Sequence, residues 1–418
     1  MRVPCYRKSF FERMCWLYAV RLLSHKNPWT ICLSLLASTH VVGTVNIVSV
    51  LAMAPVISRD LELSATQFGL FVTAYYGAQA FWSLPSGGLT DRFGVARVIV
   101  VSHIIMVLAA IALSLASSYF LCLGAMFLMG IGYAMTNPST SRGVLDWFPS
   151  DRRGMAMGLK QLGVPVGGIV AAGNGALAEW FDWRFIMLWV AAGIGFNGLL
   201  SLNLLHFDKT SDRRDFVNPI KSIIKVTRDA NVNIFVWANG FLNFGQANFF
   251  SFLTLFLTEV ALASQSFAGA MLGCVHGVSA IARVVWGILS DTAFKGRRST
   301  LLIWLCFTAT IFLVLILMVD PGWRLWAFGF TSIIGLGITI ASFAPVGQAI
   351  GVGMVKSQLA GSAMGYNMLG IHIGGMLGPV VFGALVDLSM TYQLSWLVTA
   401  LMVAIGTTMI AFWFRERG

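Results

Sequence analysis

Gly154-Met155-Ala156-Met157-Gly158 recurs farther along the chain as Gly361-Ser362-Ala363-Met364-Gly365. At the same offset Gly163 pairs with Gly370, and Gly167-Gly168 with Gly374-Gly375. One residue later in register, Gly175-Ala176-Leu177 returns as Gly383-Ala384-Leu385. Likewise Gly87-Gly88-Leu89-Thr90-Asp91 returns as Gly287-Ile288-Leu289-Ser290-Asp291. The chain is therefore internally duplicated. Glycines inside apolar runs let neighbouring helices approach closely.

The runs that carry these copies are long and apolar. Of 418 residues, 57% are hydrophobic and 11% charged, where a soluble domain carries about 25% charged. A helix that spans a bilayer needs about 20 mostly apolar residues. Twelve such runs lie near 30–52, 66–88, 98–117, 120–141, 155–178, 185–205, 232–258, 266–289, 300–319, 323–347, 358–386 and 393–414. Asp320-Pro321-Gly322 separates the ninth from the tenth as a turn. The expectation is an all-α membrane protein, with twelve transmembrane helices in two parallel six-helix pseudo-repeats.

Charge orients the spans. With the N-terminus inside, 23 of the 28 Lys and Arg fall on the cytoplasmic side. Arg59, Arg184 and Arg324 fall outside, and Lys160 and Arg283 lie within spans. Basic loops stay in the cytoplasm, so both termini are expected there, in the inner membrane. The net charge of +11 has the same origin and does not imply nucleic acid. Residues 1–28 read as a basic cytoplasmic segment, either an amphipathic surface helix or a tail, and not as a signal peptide. Residues 29–206 form the first bundle, 207–231 a cytoplasmic linker, and 232–418 the second bundle. The six cysteines are scattered singly, without disulfide or metal-ligand spacing. Neither a metal nor a cofactor is expected. No phosphate loop or nucleophile–base arrangement suggests an enzyme.

The loop Gly87-Gly88-Leu89-Thr90-Asp91-Arg92-Phe93-Gly94-Val95-Ala96-Arg97 resembles the G-x-L-x-D-R-x-G-R-x-x element of the major facilitator superfamily. Val95 replaces the first of the two usual basic residues. The resemblance runs from about residue 29 to the end. It implies alternating access by two rocking halves, with a solute site at their interface. Asp91 and Arg92 match the charges that lock the halves on the cytoplasmic side in that family. Asp291 occupies the second copy, and Arg142 lies at the inner end of the fourth span. Arg283 lies two turns before Asp291 and is expected to pair near it. A turn fixed by Gly and Asp alone is the alternative reading of the loop.

Ionisable groups inside a membrane are costly and mark function. No Asp or Glu occupies the middle of any span. Lys160, Arg283, His40, His276 and His372 do lie within spans. Cations without carboxylates favour an anionic solute. Lys160 either contacts solute or snorkels to the surface, and Gln161 lies beside it. His40 is either a proton carrier or a neutral, hydrogen-bonded imidazole; His276 and His372 divide the same way. The resemblance implies a cavity lined by the first, fourth, seventh and tenth spans. These carry Asn46; Tyr133 and Asn137; Trp237, Asn239, Asn243, Gln246 and Asn248; and Gln348. Asn239, Asn243 and Gln246 share one helical face, free to bind solute or bond neighbouring helices.

A secondary transporter of a small organic anion, proton-coupled or exchanging, is the leading expectation. Its partners would be the solute, the bilayer and a candidate proton, with the chain a monomer. Drug efflux is the rival. Met126 stands where the family's antiporters carry an arginine in the fourth span, which weighs against it. A transport-inactive receptor is a third class.

Overall fold

The computed structural model describes residues 29–208, 226–294, 297–319, 325–354 and 360–416. The segment 1–28, the turn 320–322 and most of the linker lie outside the described residues. The spans are helical. Span 1 is Ile31–Ala52, followed by the short helix Ala54–Asp60; span 2 is Ala65–Phe93, span 3 Val95–Ser114 and span 4 Tyr119–Trp147. Span 5 is broken at Leu162 into Arg153–Gln161 and Gly163–Leu177, and span 6 is Trp183–Ser201. Span 7 is Ala230–Glu259, span 8 Gln265–Asp291, span 9 Arg298–Leu315, span 11 Ala360–Ser389 and span 12 Gln393–Phe412. Nine described helices are long and apolar enough to cross a bilayer.

Span 10 departs from expectation. It is not one helix but Leu325–Phe330, in π geometry, running into Thr331–Ile338, then a break, then Ala344–Gly353. Pro345 sits at the start of the last segment, where its missing N–H costs nothing. A break in a bilayer is tolerated only where other groups satisfy the freed backbone. Gln246 of span 7 donates to the Ile340 carbonyl at 2.7 Å, and Trp286 of span 8 to Ile338 at 2.8 Å. Ser279 and Arg283 of span 8 donate to Ala341, each at 3.0 Å.

The repeated glycines have matching jobs in the two halves. A Cβ at Gly163 or Gly167 would collide with the backbone of span 1, at Ala37 and Val41. One at Gly370 or Gly374 would collide with span 7, at Val236 and Gly240. The next glycine of each copy admits a ring from the other half: His276 against Gly168, and Tyr76 against Gly375.

Contacts between the halves run from mid-membrane to one end. There Thr73 donates to Met376 O (2.6 Å), Thr254 to Leu51 O (2.7 Å) and Gln265 to Ala52 O (2.8 Å). The other end carries the basic loops. Cβ atoms at Gly87, Gly88, Gly154, Gly158 and Gly287 would meet open space, and no described hydrogen bond joins the halves there. Among the described residues the hydrogen bonds between the halves lie from mid-membrane to the opposite face, so the halves are joined there and not on the basic face.

Candidate functional site

Lys160 lies in the first segment of span 5 and is fully buried. Its Nζ donates to Asn137 Oδ1 (3.2 Å), Thr140 Oγ1 (3.0 Å) and Ser141 Oγ (2.9 Å), all on span 4. Those three recur at i, i+3 and i+4, so one face of span 4 presents them together. The snorkelling alternative is thus at odds with the geometry. So is open solute contact: the ammonium sits behind half-buried Asn137 and Ser141. No carboxylate pairs with it among the described residues.

His40 of span 1 reaches the same Thr140 hydroxyl through Nε2 at 3.0 Å. That hydroxyl also donates to Thr136 O at 2.7 Å. A hydroxyl has one proton and two lone pairs. With the Thr140 proton on Thr136 O and Lys160 in one lone pair, an Nε2–H of His40 donates into the other. Its Nδ1 has no described partner. Asn46, one and a half turns on, is fully buried with neither amide atom hydrogen-bonded.

One turn from Asn137, Tyr133 approaches Thr44 at 3.5 Å and packs beside Tyr75. Gly43 makes room for its ring. Arg283, from the other half, donates to the Ser279 hydroxyl at 3.4 Å and to the Ala341 carbonyl at 3.0 Å. The expectation that Arg283 pairs with Asp291 fails. Asp291 is bound by Arg298 at 3.3 Å, and Arg283 is turned inward onto the broken span 10. Lys160 and His40 thus meet at one polar centre on span 4, while Arg283 of the other half is held on spans 8 and 10.

His276 stacks on Phe250 at 4.9 Å, with its Nε2 unpartnered. His372 lies 6.4 Å from Tyr76 across the halves, with its Nδ1 unpartnered.

The amide face of span 7 is spent on helix contacts. Asn239 donates to Asn367 Oδ1 (2.9 Å), Asn243 to Ile371 O (2.8 Å), Asn248 to Thr399 (2.9 Å), and Gln246 to the span 10 break. These donors go to neighbouring helices, while the Oδ1 atoms of Asn239 and Asn248 are buried without a partner. Trp237 is exposed, and Tyr366 donates to Asn233 at 2.8 Å. Gln161 and Gln348 are half-buried.

The gate candidates lie on the basic face. Arg142 bridges Asp91 (3.0 Å) and Asp146 (2.8 Å) within its own half, and Arg92 lies over Phe93. Neither Asp91 nor Arg92 bonds the other half in this state. Sequence reasoning missed Thr140 and Ser141, although their spacing from Asn137 was the available signal.

The probable sulfoacetate transporter of Cupriavidus necator is 24% identical to this chain over 408 residues, covering 90% of this chain and 91% of the relative. Multidrug resistance protein 1 of Bacillus subtilis is 23% identical, covering 90% and 95%. A bacterial homolog of the human lysosomal transporter Spinster, solved in an inward-facing and occupied conformation, superposes with a TM-score of 0.73. It is 18% identical and covers 92% of this chain and 97% of that chain. The model of the Major Facilitator Superfamily matches residues 35–342 and 236–418, and this transporter chain belongs to that family.

Proposed function

We propose that this transporter carries a small organic anion, with its basic face in the cytoplasm. The observation that supports this is Lys160: a fully buried ammonium held by neutral oxygens, with Arg283 a second intramembrane cation in the other half. Described acids sit at helix ends or in loops. An uncompensated buried charge is costly until a solute neutralises it. Asn137, Ser141 and Tyr133 face the solute, and Lys160 behind them sets the potential. The anion's charge is balanced by a co-transported proton or by exchange for a second anion. The sulfoacetate transporter among its relatives fits this reading.

Drug efflux is favoured by relatives named for multidrug resistance, but mid-membrane carboxylates that would hold a lipophilic cation are absent from the described residues. Purified protein in proteoliposomes decides between them. Counterflow of labelled short carboxylates or sulfonates, abolished by excess unlabelled anion, is the expected result. Transport of cationic dyes alone, with every anion inert, would remove the proposal.

A further inference from the structure

The joined face carries two matching carboxylates. The copies Gly175-Ala-Leu-Ala-Glu179 and Gly383-Ala-Leu-Val-Asp387 end spans 5 and 11, and each acid reaches into the other half. Asp387 accepts from the backbone N–H of Ala65 (3.0 Å) and Thr66 (2.9 Å) and from the Thr66 hydroxyl (2.5 Å). Glu179 accepts from the backbone N–H of Ser266 (3.1 Å) and from its hydroxyl. Ala65 and Ser266 begin spans 2 and 8, the equivalent helices of the two halves. A helix start exposes unpaired N–H groups and the positive end of its dipole, so a carboxylate there is doubly favourable.

On the basic face the same device stays within a half. Asp208 accepts from Val95 and Ala96 at the start of span 3, and Glu416 from Arg298 and Ser299 at the start of span 9. Those caps survive rocking. The Glu179 and Asp387 caps do not, because their partners move apart when the opposite face opens.

We infer that Glu179 and Asp387 form a paired latch that holds the opposite face shut, each capping a helix of the other half. Opening must break both caps together, since the halves separate as bodies. Neutralising one therefore weakens closure at both. An amide keeps an acceptor oxygen but loses the charge–dipole attraction, so neutralising one acid raises the open-to-closed ratio about two- to fivefold.

Hydrogen exchange of the full chain in nanodiscs tests this in Glu179→Gln, Asp387→Asn and the double variant. The conservative amides keep size and fold, which size-exclusion chromatography verifies. The peptides to follow contain Ala65–Phe68 and Ser266–Ala268. Asp387→Asn is expected to speed exchange about two- to fivefold at the start of span 8 as well as span 2, Glu179→Gln to do the reverse, and the double variant to exceed either. Faster exchange confined to each variant's own helix start would mark two independent local caps and overturn the latch.

Discussion

Lys160 and His40 share one acceptor, the Thr140 hydroxyl, at 3.0 Å each. Spans 5, 4 and 1 meet at that oxygen. One cation is accommodated there by neutral dipoles; a second beside it would face direct repulsion with no carboxylate to absorb it.

Lys160→Met separates function from stability. Replacing a buried ion by an apolar group of similar volume is often neutral or stabilising. The Met variant is therefore expected to keep its melting temperature, or raise it, while anion counterflow drops at least about tenfold through loss of roughly 1.4 kcal/mol or more of anion attraction. Wild-type counterflow at unchanged affinity would return Lys160 to a purely structural account.

Thr140→Val acts the other way. It removes the acceptor that Lys160 and His40 share and leaves the His40 Nε2–H buried and unpaired. An orphaned buried polar group costs about 1–3 kcal/mol, so the variant should melt earlier and fold in lower yield. Thr140→Ser restores the oxygen and should restore both. Equal thermal stability of the Val and wild-type proteins would show that the three-span junction contributes little.

The large features were legible because they obey simple rules. Apolar runs of helix length gave the spans, and clustered Lys and Arg gave one face. Gly163, Gly167, Gly370 and Gly374 marked the closest helix contacts. Orientation about each helix axis was harder. Asn239, Asn243 and Gln246 do share a face, but periodicity does not say whether that face meets a cavity or spans 10 and 11. The span 10 break was hidden because Thr339–Phe343 is mostly apolar and reads as continuous helix; it persists because Gln246, Ser279, Arg283 and Trp286 arrive from distant sequence. The partners of Glu179 and Asp387, near outer helix ends, were not legible, since only the packed halves bring helix starts to them.

A small pH effect is expected on the opposite face. Arg184 bonds Asp60, at the end of the short helix after span 1, at 2.6 Å. Slight burial pushes the Asp60 carboxyl up, but the hydrogen bonds from Arg184 and Trp183 and the Arg184 charge outweigh it and hold it below its ordinary value. A depressed acid stabilises the fold above its unfolded value, near 3.9, and loses that contribution as pH falls through the folded value. The pair is partly exposed, so Asp60→Asn should cost less than about 1 kcal/mol at neutral pH. The melting difference from wild type should close below about pH 4. A difference that persists in acid would mean that the side chain's shape, and not its charge, supports the helix.

Gly168→Val tests the closed interface directly. A Cβ there would overlap the His276 ring, so spans 5 and 8 must part at the level where the halves touch. Overpacking of this kind costs about 1–3 kcal/mol, paid only in the state that closes the opposite face. The population should therefore shift toward opening on that face, with faster hydrogen exchange at Ser266–Ala268 and slower net transport. Gly158→Val is the contrast, since its Cβ would enter open space on the face that must close in the other half of the cycle. It should leave the exchange at Ser266 unchanged or slower, while still slowing transport. If Gly158→Val sped that exchange as much as Gly168→Val, the two glycines would not belong to opposite ends of a rocking cycle, and the assignment of joined and unjoined faces would be wrong.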